Sequence, residues 1–186
     1  MKIIKSKIKD LVIIEPRVFP DGRGCFFESY QKQRYQDAGI KEAFVQDNVS
    51  CSTKGVLRGL HAQNPSAQGK LVSVLQGEVF DVAVDVRQGS ATFGQWEGVT
   101  LNHENKMQFY VPPGFLHGFC VLSETAIFSY KCTDYYNKEA EFGVIWNDPD
   151  IGIQWPSENV LLSDKDSQLP QLKELDDSVF RLEAHE

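Results

Sequence analysis

The sequence contains no run of about 18 apolar residues, the length that a membrane-spanning helix needs. Its start, Met1-Lys2-Ile3-Ile4-Lys5, leads straight into a strand pattern without a secretory cleavage site. Both absences predict a soluble, cytoplasmic protein that engages no membrane. Basic charge is scarce as well: 19 Lys and Arg stand against 26 Asp and Glu, a net charge of -7. A nucleic-acid partner usually requires a basic face and is not expected. A local cluster of Arg and Lys still leaves room for a phosphorylated small molecule. Cysteine is rare. Cys25, Cys51, Cys120 and Cys132 lie far apart with no Cys-x-x-Cys spacing, which argues against a disulfide framework. They read as small buried hydrophobes.

Helix signals are few. The segment from Glu28 to Gly39 predicts one short helix closing at the glycine. The polar tail from Ser163 to Glu186 predicts short helical turns packed on the rest. No repeat, linker or low-complexity run interrupts the chain. Its 186 residues, 41% of them hydrophobic, suit one domain spanning residues 1–186 with a sizeable core.

Strand signals dominate instead. Leu71–Leu75, a Gln76-Gly77-Glu78 turn and Val79–Val86 read as two strands joined by a tight turn, with Asp85 inside the alternating pattern. Val99–Leu101, Gln108–Val111, Phe119–Leu122 and Ala126–Cys132 continue the series, punctuated by Gly89-Ser90, Asn102–Asn105, Pro112-Pro113-Gly114 and Ser123–Thr125. Many short strands at this spacing predict an all-β jelly-roll sandwich or barrel with a few short peripheral helices.

The polar motifs are more specific. Val56–Gln63, with Lys70 and Gly77 downstream, has the outline of a cupin metal motif: a His-x-His pair, then a Glu at a set distance before a Gly. Here Gln63 replaces the second His, and Lys70, seven residues before Gly77, replaces the Glu. An ammonium has three donors and no lone pair, so it cannot ligate a metal. It can stand where the metal would, as a fixed positive charge that stabilises an oxyanion. The turn Pro112-Pro113-Gly114-Phe115-Leu116-His117 is a second cupin-like element, feeding His117 back towards the barrel mouth. His61 and His117 alone are too few for a zinc site. No metal and no cofactor are expected.

His61 taken alone would be an ordinary structural histidine. Its position among Arg58, Gln63 and Lys70 points instead to a proton-transfer base beside an anion site. Tyr130, on a strand, offers a phenol for the returning proton. Asp166 is the type of carboxylate that fixes the tautomer of such a base.

Together these elements resemble the dTDP-4-dehydrorhamnose 3,5-epimerase family over nearly the whole chain. The ordered matches are Asp21–Gly24, Phe26–Glu28, Gln46–Asn48, Leu57–His61, Gln68–Val72, Asp81–Arg87, Ser90–Gly94, Pro112–Phe119, Tyr130–Tyr136, Trp146–Pro149 and Leu162–Asp166. Ala62 departs from the aromatic often found between the His and the Gln, and Cys120 is also unusual. The resemblance implies a cupin-type jelly-roll homodimer that inverts C3 and C5 of dTDP-4-dehydro-6-deoxy-D-glucose without a cofactor. It implies His61 as base, Asp166 as its orienting carboxylate, Tyr130 as the acid on the opposite face and Lys70 beside the C4 oxygen. Arg23, Phe26, Glu28, Gln46, Asp47, Asn48, Arg58, His117, Glu141 and Lys165 would hold the substrate, with Arg23 supplied by the partner subunit. Two alternatives stay open: a sibling epimerase acting only at C3 or only at C5, and a cupin that binds a sugar nucleotide without turnover. Gln63 and Lys70 oppose a metal-dependent oxygenase.

Overall fold

The computed structural model of the protein describes residues 1–180; the last part of the tail expectation, residues 181–186, lies outside the described residues. Among the described residues two antiparallel sheets pack face to face. The first has six strands in the order β1 (Lys2–Lys5), β2 (Val12–Glu15), β10 (Gln108–Val111), β7 (Lys70–Gln76), β12 (Thr125–Cys132) and β5 (Gln46–Thr53). The second has five, in the order β13 (Glu141–Gly143), β6 (Leu57–Gln63), β11 (Phe115–Val121), β8 (Glu78–Asp85) and β9 (Trp96–Asn102). β3 (Val18–Asp21) and β4 (Gly24–Phe27) pair only with each other. This is the all-β, cupin-type jelly roll that the strand pattern predicts.

The strands form as they do because each face has a different neighbour. Val72, Val74, Val79, Ala83, Phe115, Phe119 and Phe128 point between the sheets into the main core. Val82, Val84, Leu60 and Leu116 point the other way and are covered by Ile151 and Phe180 from the chain that follows β13. β11 is buried on both faces along its whole length. Phe119 and Phe128 stack across the interior at 4.1 Å between centroids, tying the two sheets together. Such a pair adds about 0.5–1.5 kcal/mol beyond its area burial.

Three expectations change. β7 and β8 do not form a hairpin: each joins a different sheet, and Gly77 turns the corner between them. Gly77 has φ +80, and a Cβ there would sit 2.1 Å from the Thr125 carbonyl oxygen, so the corner cannot carry a side chain. The helix α1 covers only Lys32–Asp37, because Gln31 caps it by accepting from the Arg34 N–H and holds residues 28–31 outside it. Of the four cysteines, Cys120 and Cys132 are buried but Cys25 and Cys51 are exposed, on outward positions of β4 and β5. The tail is as expected in its described part, with a short helix α2 (Asp164–Ser167) and 3-10 turns at Leu172–Glu174 and Asp177–Phe180.

One irregularity positions the site. In a regular strand Arg58 and His61, three residues apart, would face opposite sides of the sheet. β6 and β11 shift register between them: Arg58 lies opposite Phe119, but His61 lies opposite His117. Three steps on β6 therefore match two on β11, and the extra residue of this bulge returns His61 to the interior beside Arg58. Gly59, at φ +122, sits at the bulge, and a Cβ there would meet Gly118 Cα at 2.6 Å and the His117 carbonyl oxygen at 2.7 Å.

Gly59→Ala should therefore cost clearly more than about 1 kcal/mol, read as a fall in thermal midpoint. Gly89→Ala is the control, because Gly89 shares a positive φ of +79 but has open space around it. Equal losses in the two variants would show that the close approach of β6 to β11 is not what demands glycine.

Candidate active site

The site grows from the two inner faces. β6 brings His61 from the five-stranded sheet; β7 and β12 bring Lys70 and Tyr130 from the six-stranded sheet opposite. All three line two adjoining hollows of about 230 and 280 Å³. Gln46, Asn48, Ala62, Gln63, Gln68, Tyr136 and Glu141 complete the first hollow. Arg58, His117, Phe119, Phe128, Lys165 and Asp166 are among the residues completing the second.

His61 is held from behind. Its Nε2 lies 2.6 Å from Asp166 Oδ1, and Asp166 is only 4% exposed. Asp166 sits in the first turn of α2, whose N-cap Ser163 accepts from the Asp166 N–H at 3.1 Å. Burial pushes the Asp166 carboxyl up, but hydrogen bonds from His61, the Gly59 N–H and Ser163 outweigh it and hold the group below its ordinary value. An ionised carboxylate only accepts, so Nε2 donates and Nδ1 is the nitrogen free to take a proton.

The facing groups are of opposite use. Burial raises the Tyr130 phenol, which therefore stays a proton donor across the neutral range. Burial lowers the Lys70 ammonium, with Cys132, Glu141 and Asp81 pulling it back up. Among the described residues the Lys70 ammonium has no hydrogen-bond or ion-pair partner, so its donors remain for a ligand. A base, an acid and a cation around one cavity can move protons across the two faces of a carbonyl compound while its oxygen takes up negative charge.

The remaining expected residues divide. Gln46 and Asn48 alternate inward along β5 and bond to each other at 3.1 Å. Arg58 reaches Ser52 Oγ at 3.2 Å. Glu141 bridges Lys165 at 2.5 Å and Tyr136 at 2.9 Å. The two nitrogen-to-oxygen distances from His117 to Asp81 are both 3.0 Å. Four residues stand apart from the cavity in the single chain. Asp47 faces outward on β5, paired with Lys131. Arg23 is paired with Asp21, Phe26 is 70% exposed on the β3–β4 hairpin, and Glu28 is paired with Arg34 beside α1.

Other lining residues escaped the sequence reading. Ser50 belongs to the polar stripe Gln46, Asn48, Ser50, Ser52, whose period of two was there to be read. Phe119 and Phe128 carry only a strand signal in the sequence, and Tyr136 enters it only as the end of the match Tyr130–Tyr136. Gln63 is not left open for a ligand: its amide donates to the Ser66 and Tyr135 carbonyls and accepts from the Asn137 N–H. Among the described residues no three His, Cys, Asp or Glu side chains gather as a metal site would need.

The family model for dTDP-4-dehydrorhamnose 3,5-epimerase matches residues 5–174. A dTDP-4-dehydrorhamnose 3,5-epimerase of Shigella flexneri is 57% identical over 89% of this chain and 93% of its own. The chain belongs to the dTDP-4-dehydrorhamnose 3,5-epimerase family. Among solved structures, the family enzyme of Legionella pneumophila, in complex with dTDP-4-keto-L-rhamnose, superposes with a TM-score of 0.95 at 55% identity, covering 99% of both chains. A 3'-monoepimerase of Streptomyces bikiniensis in complex with dTDP-quinovose is more distant, at TM-score 0.85 and 35% identity over 90% of this chain and 86% of its own. Among the described residues no helix is long and apolar enough to cross a membrane.

A charge-assisted bond as short as that from His61 to Asp166 moves its proton resonance far downfield. Proton NMR should show one such imidazole N–H signal, lost in both His61→Ala and Asp166→Asn. A signal that survives in Asp166→Asn would detach the carboxylate from the imidazole.

Proposed function

We propose that this protein inverts C3 and C5 of dTDP-4-dehydro-6-deoxy-D-glucose to give dTDP-4-dehydro-L-rhamnose. The observation that carries the reading is the placement of His61 and Tyr130 on opposite sheets, with Lys70 beside Tyr130, around one cavity. His61, backed by Asp166, removes the proton next to the C4 ketone. That proton is too weakly acidic for an imidazole unless the enolate is stabilised as it forms, and Lys70 supplies the charge at the C4 oxygen. Tyr130 returns a proton on the other face, which is what inversion requires.

Arg58, His117 and Lys165 ring the second hollow and suit a diphosphate, for which a guanidinium fork is well shaped. Gln46, Asn48 and Glu141 line the first hollow and hold the rest of the substrate. Arg23, Phe26 and Glu28 reach the substrate of a second copy in a homodimer. Supporting this is the β3–β4 hairpin, which pairs with neither sheet and leaves Phe19 and Phe26 exposed. Asp47, on the outer face of β5, belongs to the same assembly. The reading takes residues 1–186 as one domain, working in the cytoplasm where nucleotide sugars are made. The likeness to a 3'-monoepimerase favours one second reading, inversion at a single carbon.

Proton NMR of the purified protein with the 4-keto sugar nucleotide in D₂O distinguishes these. Deuterium at both C3 and C5 supports the main reading, at one carbon the sibling, and at neither a binding module. His61→Ala should stop exchange altogether. Tyr130→Phe keeps the base and the Lys70 charge, so exchange should persist while inversion falls by about 10²–10⁴. Exchange at the parental rate in His61→Ala would remove His61 as the base.

Lys70→Ala should leave the fold intact and lower turnover by more than about 10²-fold, with substrate binding weakened less. Near-normal turnover with only a raised KM would reduce Lys70 to a binding contact.

A further inference from the structure

One carboxylate in the barrel has no part in the proposed reaction as given above. Asp81, on β8, is fully buried and lines neither hollow, so it touches no substrate. Its strand alternation puts it on the same face as Val79 and Ala83, between the sheets. Leaving an isolated carboxylate there is costly, and a buried charge persists only where it is paired and hydrogen-bonded.

Both Asp81 oxygens lie 3.0 Å from His117 Nε2. His117 stands on the neighbouring strand β11 and lines the second hollow. Burial pushes the Asp81 carboxyl up, and His117 beside it and then the Lys70 charge from the opposite sheet pull it back towards the ionised form. Titratable groups reach Lys70 from every element packed around it: Cys132 and Tyr130 on β12, Glu141 on β13, His61 on β6 and the His117–Asp81 pair. The other carboxylates are committed elsewhere. Asp166 holds His61, and Glu141 holds Lys165 and Tyr136. Arg58 and Lys165 add only positive charge to the second hollow.

We propose that Asp81 is a positioning residue for the epimerisation: its buried carboxylate orients His117 through Nε2 and supplies the fixed negative charge against which Lys70 is kept a cation at the substrate oxygen. The inference rests on the proposed reaction, because it assigns Asp81 its purpose through Lys70. Orientation through Nε2 leaves His117 Nδ1 as the atom that can face a ligand. The Lys70 charge is the more sensitive part. Burial favours the neutral amine, and a carboxylate in the same low-dielectric interior opposes that loss.

Asp81→Asn keeps the shape and an acceptor for His117 but removes the charge. The kcat should fall by about 10–10²-fold with a smaller change in KM. The alkaline limb of kcat/KM should move to lower pH, as loss of an opposite charge implies. Competitive acetylation of Lys70, read by mass spectrometry without substrate, should show the same downward shift of its titration. An Asp81→Asn protein with parental pH profile and parental Lys70 titration overturns the inference, whatever its kcat. If that variant does not fold, carbon NMR of the parental protein decides: the Asp81 carboxyl must be ionised at neutral pH, and a protonated carboxyl there overturns the inference equally. Parental protein that exchanges no substrate proton would instead sink the proposed reaction, and the acetylation readout would still report on Asp81.

Discussion

A positive charge buried between two sheets is the constraint on which this site depends. Moving an ammonium out of water costs several kcal/mol even after relaxation. The same surroundings make it worth more to a developing oxyanion than any surface lysine. The protein opposes that cost with two carboxylates engaged elsewhere: Asp81 on His117 and Glu141 on Lys165. Neither closes an ion pair on Lys70. A direct pair would have satisfied the ammonium and removed it from use, whereas charge held at one remove supports it and leaves its donors free.

Two sheets rather than one make the arrangement possible. A single sheet face presents its side chains from one direction, but a reaction that takes a proton from one face and returns it to the other needs groups that oppose each other. The jelly roll supplies this by geometry, with β6 carrying His61 against β7 and β12 carrying Lys70 and Tyr130. The stack of Phe119 on Phe128 at 4.1 Å sets the separation of the sheets next to the hollow. The bulge at Gly59 then does two things at once. It returns His61 to the interior beside Arg58, and its N–H helps hold Asp166 behind the imidazole.

Much of this is legible in the sequence. The strands β7, β8, β10 and β12 follow the alternation of Val, Phe and Leu, whereas β9 and β11 begin earlier than their apolar runs, at Trp96 and Phe115; the departures at Gln63 and Lys70 already turned a metal motif into a charge motif. Other features depend on contacts between distant residues, and local pattern does not carry those. The Gln76-Gly77-Glu78 corner has the composition of a hairpin turn; only the Thr125 carbonyl pressing on Gly77 makes it a crossing between sheets. Asp81 and Asp85 lie four residues apart on one face of β8, yet one orients a histidine and the other a loop. Asp85 gathers Arg87, Ser90 and Thr92, which bring its carboxyl down to about 2 despite burial. Asp85 finds its partners within the next seven residues, but the partner of Asp81 lies 36 positions on, so local sequence carries only the first of these fates. Phe26 was legible only through resemblance, since an exposed aromatic on a hairpin gives no signal within a single chain.

The exchange of metal for lysine also shows why the two substitutions belong together. Had Lys70 alone replaced a ligand, the neighbouring position would still present an imidazole to the cavity, a third beside His61 and His117. Gln63 cannot do so. Its amide is consumed by the Ser66 and Tyr135 carbonyls and the Asn137 N–H, and it fastens the segment that carries Tyr136 over the first hollow. An imidazole has two ring nitrogens and could not donate twice and accept once in the same place. The position of a histidine ligand in the metal motif thus fastens the wall of the first hollow here, while a fixed charge stands at Lys70 and the proposed reaction leaves proton removal to His61.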